Sequence, residues 1–573
     1  MMKRWLLLVA AVWLLSPVQA WADDPKPEEI DSVLKKLPAG TTHQHVMMPL
    51  RDGVKLATDV FIPQGGGPWP VVLLRTPYSR FDGRGGSELG VPCVLVCQNQ
   101  RGRYGSEGTL PPDTFENEVN DSYDAVEWCA KQPWCNGKVA MWGPSGHGVS
   151  PANAAWSKAP HLVAVSINIS ADCAYLHWGF NNGARREFYS WLRQRNQTIG
   201  DWPRPTIVPF DMKAREKFLA EHAANNKVCF LSRGGWFDLF SEGALDAFAA
   251  LAPNGRAFVV IGPDAHGPIA GELKYPNRNW PAEAQVPTLK QLMTGAEPRQ
   301  PKSILLYFLM GDTRDPAAPG NIWKTSSVWP VPSAPTDYYL HKDGSLALQP
   351  PKEKGASLSY VYDPRDPAPS IGGNYGISQK DRPLNGPYDQ RPLLDPQTVV
   401  RRQGLDMKGQ PIELSGYARK DVLRFVSVPL AEPAGITGKV WVELHFSSDA
   451  PDTMFVAKLV DVYPDGYEAL MRESAGLARY WKGDLVHGAP LERGKVYAIK
   501  MDLWSTALVF NRGHRIGLYV TSSSKDAYEV HPNSFEPLKS LEQARTAHNT
   551  IHLSAEQASR VILPVIPRES YVK

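Results

Sequence analysis

The chain has 573 residues, of which 43% are hydrophobic and 21% charged, including 18 Trp, 21 Tyr and 18 Phe; at about 100–200 residues per domain this makes two to four domains, and it excludes a disordered polar chain. The 62 Lys and Arg against 59 Asp and Glu leave a formal charge of +3 at pH 7, too little for an electrostatic nucleic-acid binder. With 51 Pro and 47 Gly, fixed turns dominate, which fits a loop-rich enzyme or a β-rich domain better than a helical bundle.

Residues 1–22 have the layout of a secretory signal peptide. Lys3 and Arg4 precede an apolar run from Trp5 to Leu15, and small-residue cleavage sites follow at Ala20 and Ala22. The run is shorter than the ~20 residues a spanning helix needs. The mature chain is therefore expected to be periplasmic or secreted, with no stable membrane insertion. Export would place Cys93, Cys97, Cys129, Cys135, Cys173 and Cys229 in an oxidising compartment. A Cys129–Cys135 bridge and buried thiols are both compatible with the spacing. No Cys/His cluster has zinc spacing, and neither metal nor organic cofactor is expected.

From about Gln44 to Ile261 short apolar runs alternate with amphipathic segments. Val71–Leu74, Val94–Val96, Val139–Trp142, Leu162–Val165, Val228–Leu231 and Ala257–Ile261 read as buried strands. Asn117–Ala130 reads as a helix with Val119, Tyr123, Val126 and Ala130 on one face. The alternation predicts an α/β domain with a mainly parallel sheet over residues 23–330. A stretch from about 172 to 227, rich in aromatic residues (Trp178, Phe180, Trp191, Trp202), is too long for a plain crossover and is expected to form a helical cap over the carboxyl end of the sheet. Beyond Ile304–Phe308 the texture changes. Residues 331–573 carry short β-type runs such as Tyr338–Leu340, Leu423–Val426, Val440–Leu444, Phe455–Leu459 and Arg515–Val520, which predict an all-β jelly-roll sandwich.

Chemistry concentrates at Met141-Trp142-Gly143-Pro144-Ser145-Gly146-His147-Gly148. A strand running into Gly-x-Ser and then small residues has the logic of a nucleophile elbow, which lifts Ser145 above the sheet edge and sets helix-start amides such as that of Gly146 beside it. Pro151 is acceptable only in the first turn of the following helix. A serine needs a base, and the base an orienting acid, in the order Ser, Asp, His for this architecture. Asp238 and His266 each follow a predicted strand at its carboxyl end, the rim where α/β sheets build sites. Asp264 is an alternative acid and His147 an alternative base. Arg101, Arg103 and Glu107 read as a structural charge network.

The chain resembles the cocaine esterase-like CocE/NonD hydrolases, relatives of the X-Pro dipeptidyl-peptidases and α-amino-acid ester hydrolases. The marks are Met48–Val60, Arg75-Thr76-Pro77-Tyr78, Gln100–Gly108, Gln132–Val139, Ser447–Thr453, Asp461–Gly466 and Gly513–Ile516. The resemblance implies an α/β-hydrolase fold, a Ser145–His266–Asp238 triad, and an oxyanion hole formed by the Tyr78 hydroxyl and the Gly146 N–H. The chain departs from the pattern at Gly146, where the family usually has Tyr. It also has Leu239, Phe240 and Ser241 after Asp238, where the amino-acid ester hydrolases carry carboxylates for an ammonium group. The expected function is an exported serine hydrolase acting on small-molecule carboxylic esters or activated amides. The alternatives are an X-Pro dipeptidyl-peptidase and a non-catalytic exported binding protein using the jelly roll.

Overall fold

The computed structural model describes residues 26–81, 92–109, 115–187, 203–269, 271–281, 286–295, 302–374, 385–398, 400–405, 411–414 and 416–572. The leader expected at 1–22 lies outside them. No described helix is long and apolar enough to cross a membrane.

The first half is built on a ten-stranded sheet. A hairpin of β1 (Thr42–Pro49) and β2 (Lys55–Ile62) forms one edge. Then come β3 (Trp69–Thr76), β4 (Val94–Asn99), β5 (Cys135–Pro144) and β6 (Leu162–Asn168). A two-residue hairpin, β7 (Phe180–Asn181) and β8 (Ala184–Arg185), stands apart. The sheet continues with β9 (Cys229–Gly235), β10 (Ala257–Gly262), β11 (Ile304–Leu309) and β12 (Ile322–Ser326). The spatial order is β1-β2-β4-β3-β5-β6-β9-β10-β11-β12. Strands β3 to β6 and β9 to β11 pair in parallel, while β1, β2 and β12 are antiparallel.

The six apolar runs read from the sequence are β3, β4, β5, β6, β9 and β10, and they are apolar throughout because both faces are covered. Val71, Leu73, Val94, Val96, Val139, Met141, Val259 and Ile261 pack into one core. Their neighbours Val72, Leu74, Leu95, Ala140, Ala164, Leu231 and Phe258 pack into another on the opposite face, as the period of two requires. Each such buried aliphatic side chain contributes about 1.5–3 kcal/mol. Helix α1 (Pro27–Leu34) covers the second face, and α2 (Glu116–Ala130) and α3 (Val149–Ala154) cover the first. The expected 172–227 cap is partly described. Its described residues hold a π-type turn at Ala174–Gly179, the β7–β8 hairpin and helix α4 (Met212–Ala223); Trp191 and Trp202 lie outside the described residues.

The second half is a β domain. Its larger sheet is eight-stranded and its principal smaller one four-stranded. They face each other across Phe446 and Phe455, whose rings are 4.6 Å apart. The two halves are hydrogen-bonded as well as packed: Met310 N–H donates to Ala507 O at 3.0 Å and Val509 N–H to Met310 O at 2.9 Å. The six cysteines form no disulfide, and Cys129 and Cys135 stand as thiols, so the first of the two cysteine readings does not describe this structure.

Candidate active site

The strand β5 ends in a turn whose nucleophile candidate, Ser145, has φ 50°. A non-glycine residue in the left-handed region costs about 1–3 kcal/mol and persists only where its surroundings impose it. Here the imposing element is the tight return of the chain. A Cβ at Gly143 would stand 2.2 Å from His147 O, so only glycine lets the turn close. Ser145–Gly148 form a single 3₁₀ turn leading into α3, which puts Pro151 in the first helical turn, where its missing N–H costs nothing.

His266 follows β10 and Asp238 follows β9, and the structure brings both to Ser145. His266 Nε2 is 2.8 Å from Ser145 Oγ, and His266 Nδ1 is 3.1 Å from Asp238 Oδ1. With Nδ1–H donating to the carboxylate, Nε2 is left as the acceptor for the serine hydroxyl. Asp238 is 0% exposed, and its Oδ2 has no hydrogen-bond partner among the described residues. The two loops are tied to each other by Trp236 N–H to Gly262 O and Phe237 N–H to Asp264 O, both 2.9 Å. Phe240 stands 5.7 Å from the His266 ring, centroid to centroid. Trp178 packs on Phe240 at 4.4 Å, so one wall of the site is aromatic.

Tyr78 lies on the loop after β3. Its hydroxyl sits directly over the residue that follows the serine, since a Cβ placed on Gly146 would be 2.3 Å from Tyr78 Oη. The departure at Gly146 thus has a steric cause in this chain: the space a side chain would fill is occupied by the phenol. The loop is held from below. Asn99 Nδ2 donates to the carbonyls of Thr76 and Tyr78. Arg80 donates to Asn99 Oδ1 at 2.9 Å and to the buried Asp59. Asp59 also meets His43 at 2.6 Å and His45 at 3.2 Å. Sequence reading passed over these supports; the available signal was the polar Gln98-Asn99 pair closing the otherwise apolar β4, both fully buried.

The alternative assignments are placed elsewhere. Asp264 pairs with Arg278 at 3.2 Å, and burial raises its pKa. His147 is buried with its ring 5.0 Å from that of Tyr78. Arg101 bridges Asp121 at 2.6 Å and Asp52 at 3.0 Å, while Glu107 accepts the Lys55 N–H at 2.9 Å. Arg101 is thus part of a charge network with Asp52 and Asp121, while Glu107 ties down backbone at the start of β2. No group of three or more His, Cys, Asp or Glu arranged to hold a metal is found among the described residues.

Comparison with known proteins agrees with this architecture. The model of the X-Pro dipeptidyl-peptidase (S15 family) matches residues 52–206, and that of the X-Pro dipeptidyl-peptidase C-terminal non-catalytic domain matches residues 294–562. The chain is 29% identical over 604 residues to cocaine esterase of Rhodococcus sp. (strain MB1 Bresler), covering 91% of this chain and 98% of that one. Among solved structures, an aminopeptidase from a marine sediment Thaumarchaeota archaeon shares the fold at TM-score 0.71 and 23% identity, covering 92% of this chain and 97% of that one. An α-amino acid ester hydrolase does so at TM-score 0.69 and 22% identity, covering 96% and 100%. The chain is thus similar over nearly its whole length to cocaine esterase, and its two halves match the two domains of the X-Pro dipeptidyl-peptidases, the relatives of the CocE/NonD hydrolases.

Proposed function

We propose that the protein is an exported serine hydrolase that cleaves small carboxylic esters or activated amides through an acyl-enzyme. The observation that carries this reading is the 2.8 Å approach of His266 Nε2 to Ser145 Oγ on a strained turn, with Asp238 on the other imidazole nitrogen at 3.1 Å. Ser145 Oγ attacks the acyl carbon while His266 takes its proton. The imidazolium is held by Asp238, and the oxyanion is bound by Tyr78 Oη–H and Gly146 N–H. His266 then protonates the leaving group, and a water, deprotonated by the same imidazole, releases the acid. Every step uses a group of this chain, with no cofactor.

An X-Pro peptidase would need a carboxylate to receive the peptide amine. Acidic side chains of the segments around the site have other partners: Asp172 pairs with Arg215 at 2.6 Å, Asp246 with His177 at 3.2 Å and Glu242 with Lys439 at 3.5 Å. Asp238 is followed by the buried apolar Leu239 and Phe240. These observations favour a neutral acyl group. The test is labelling with a fluorophosphonate, with Ser145→Ala as control, followed by rates on short-chain nitrophenyl esters and Gly-Pro-anilide. Labelling lost in Ser145→Ala with faster ester turnover is expected. Unlabelled folded wild type would refute the hydrolase reading, and faster anilide cleavage would replace it by the peptidase one.

A further inference from the structure

The triad acid lies on the segment 235–242, between β9 and helix α5 (Ser241–Leu251). Three residues on two strands of the β domain, Glu468–Leu477 and Tyr497–Phe510, grip this segment. Arg472 is buried; its Nη1 donates to Trp236 O and its Nε to Ser505 O at 2.6 Å. The guanidinium lies 5.6 Å from the Trp236 ring centroid and 5.9 Å from that of Phe237. Ser505 N–H donates to Glu242 Oε1. Trp504 packs into one cluster with Leu239, Phe240 and Trp178. It does so at φ 71°, a conformation a bulky side chain adopts only where packing over-determines it.

Arg472 makes no ion pair with any carboxylate among the described residues. Burial pushes its pKa down to about 10. A buried guanidinium that makes no ion pair is costly, with only the longer-range attraction of Glu242 to offset its burial, and a neutral side chain would fill the same space at lower cost. What the charge supplies is directed donors. Trp236 is clamped from both ends of its peptide plane neighbourhood: its N–H goes to Gly262 O on the strand leading to His266, and its carbonyl receives Arg472. Two residues later the chain turns through Asp238 N–H to Gly235 O at 3.0 Å, which fixes where the carboxylate points.

We infer that Arg472 is a positioning residue for the triad acid, so that the C-terminal β domain is a working part of the active site. The inference rests on the hydrolase reading above. It predicts that Arg472→Met lowers kcat/KM for p-nitrophenyl acetate at least 30-fold in the wild-type background but less than 3-fold in Asp238→Asn, where the carboxylate it serves is already gone. The loss in Arg472→Met should fall on kcat with KM nearly unchanged, because a misplaced carboxylate weakens the support of the imidazolium only as the serine proton is transferred. Arg472→Lys, retaining the charge, should recover part of the rate. It also carries the same cycle if Arg472→Met does not fold. Equal losses in both backgrounds, a loss confined to KM or an undiminished rate, in protein whose wild type labels at Ser145, would overturn the inference while leaving the hydrolase reading intact. Absence of wild-type labelling would overturn both.

Discussion

Gly146→Ala is the sharpest test of the proposed oxyanion hole. Gly146 is not among the positive-φ residues, so alanine suits its backbone and the only cost is what its methyl group meets. That methyl carbon would stand 2.3 Å from Tyr78 Oη, 2.6 Å from Cε2 and 2.7 Å from Cζ. Non-bonded contact begins at about 3.5 Å, so the phenol must withdraw by about 1.2 Å. A donor acts on an oxyanion only within roughly 2.7–3.1 Å, and losing one costs about 2.7–4 kcal/mol, or 10²–10³ in kcat. Gly146→Ala should therefore reduce kcat on a nitrophenyl butyrate by about 10²-fold or more, with the circular dichroism spectrum and melting temperature near wild type. Tyr78→Phe should lose a similar factor by removing the same donor. Because both act on one hydrogen bond, the double variant should be less than about 5-fold slower than Tyr78→Phe alone, a strong departure from additivity. Gly146→Ala at full activity, or a double variant showing the product of the two losses, would refute the assignment of Tyr78.

Three further outcomes are expected. Asp238→Asn should keep the fold but lower kcat by about 10⁴, since an amide leaves the imidazole in the wrong tautomer; stopped-flow acylation on an activated ester measures this. His514 is buried between Asp461 at 2.9 Å and Asp312 at 3.1 Å; burial opposes its charge, but the two carboxylates prevail and raise its pKa to about 9. A raised pKa contributes stability that is complete below about 6.5, the unfolded value, and lost as pH rises through about 9, worth about 3 kcal/mol in all. The melting temperature of wild type should fall over that window by several degrees more than that of His514→Gln. Thiol titration with Ellman's reagent in guanidinium should find all six cysteines, whereas a Cys129–Cys135 bridge would leave four.

The parallel core was legible because a strand covered on both faces must be apolar at every position, and six such runs with turn residues between them leave little choice. The outer hairpin of β1 and β2 was not read as strands. β1 is exposed at Thr42, Gln44, His45 and Met47, so its composition carries little of the apolar signal. For the same reason β12, partly exposed along its length, escaped notice. In the site, Ser145, Asp238 and His266 were visible from their common place at strand ends, and Tyr78 through its motif. The support of each was not: Asn99 and Arg80 under Tyr78, and Arg472 behind Asp238, meet their partners only after strands distant in sequence are brought together. A lone Arg in a β-type run gives no sign of which carbonyl it will reach, and Gly146 gives no sign of the phenol that needs its space.

The same long-range placements bear on substrate charge. Around the site anions and cations are largely matched: Asp172 with Arg215, Asp246 with His177, and Asp502 with Lys439 at 2.8 Å. Glu242 lies 3.5 Å from the same Lys439. Two buried guanidiniums have no carboxylate of their own among the described residues. One is Arg472; the other is Arg186, stacked at 4.0 Å on Trp504 with its Nη2 unpartnered. Charges in a poorly screened interior act over several ångströms, and Asp238 and Glu242 act in this way on Arg186, and Glu242 on Arg472, so on the esterase reading the charges balance and no carboxylate is left over for a substrate cation. A substrate carrying an α-ammonium group would lose its hydration there without gaining a counter-ion, and a neutral one would not. An α-amino ester should accordingly be turned over more slowly than its des-amino analogue below the amine pKa, with the gap closing above it. Arg186→Gln should narrow the gap at low pH by leaving the negative charge of Asp238 and Glu242 less fully compensated. A gap independent of pH, or preference for the ammonium form, would show that the matched carboxylates are open to substrate after all, and would return the balance to the peptidase reading.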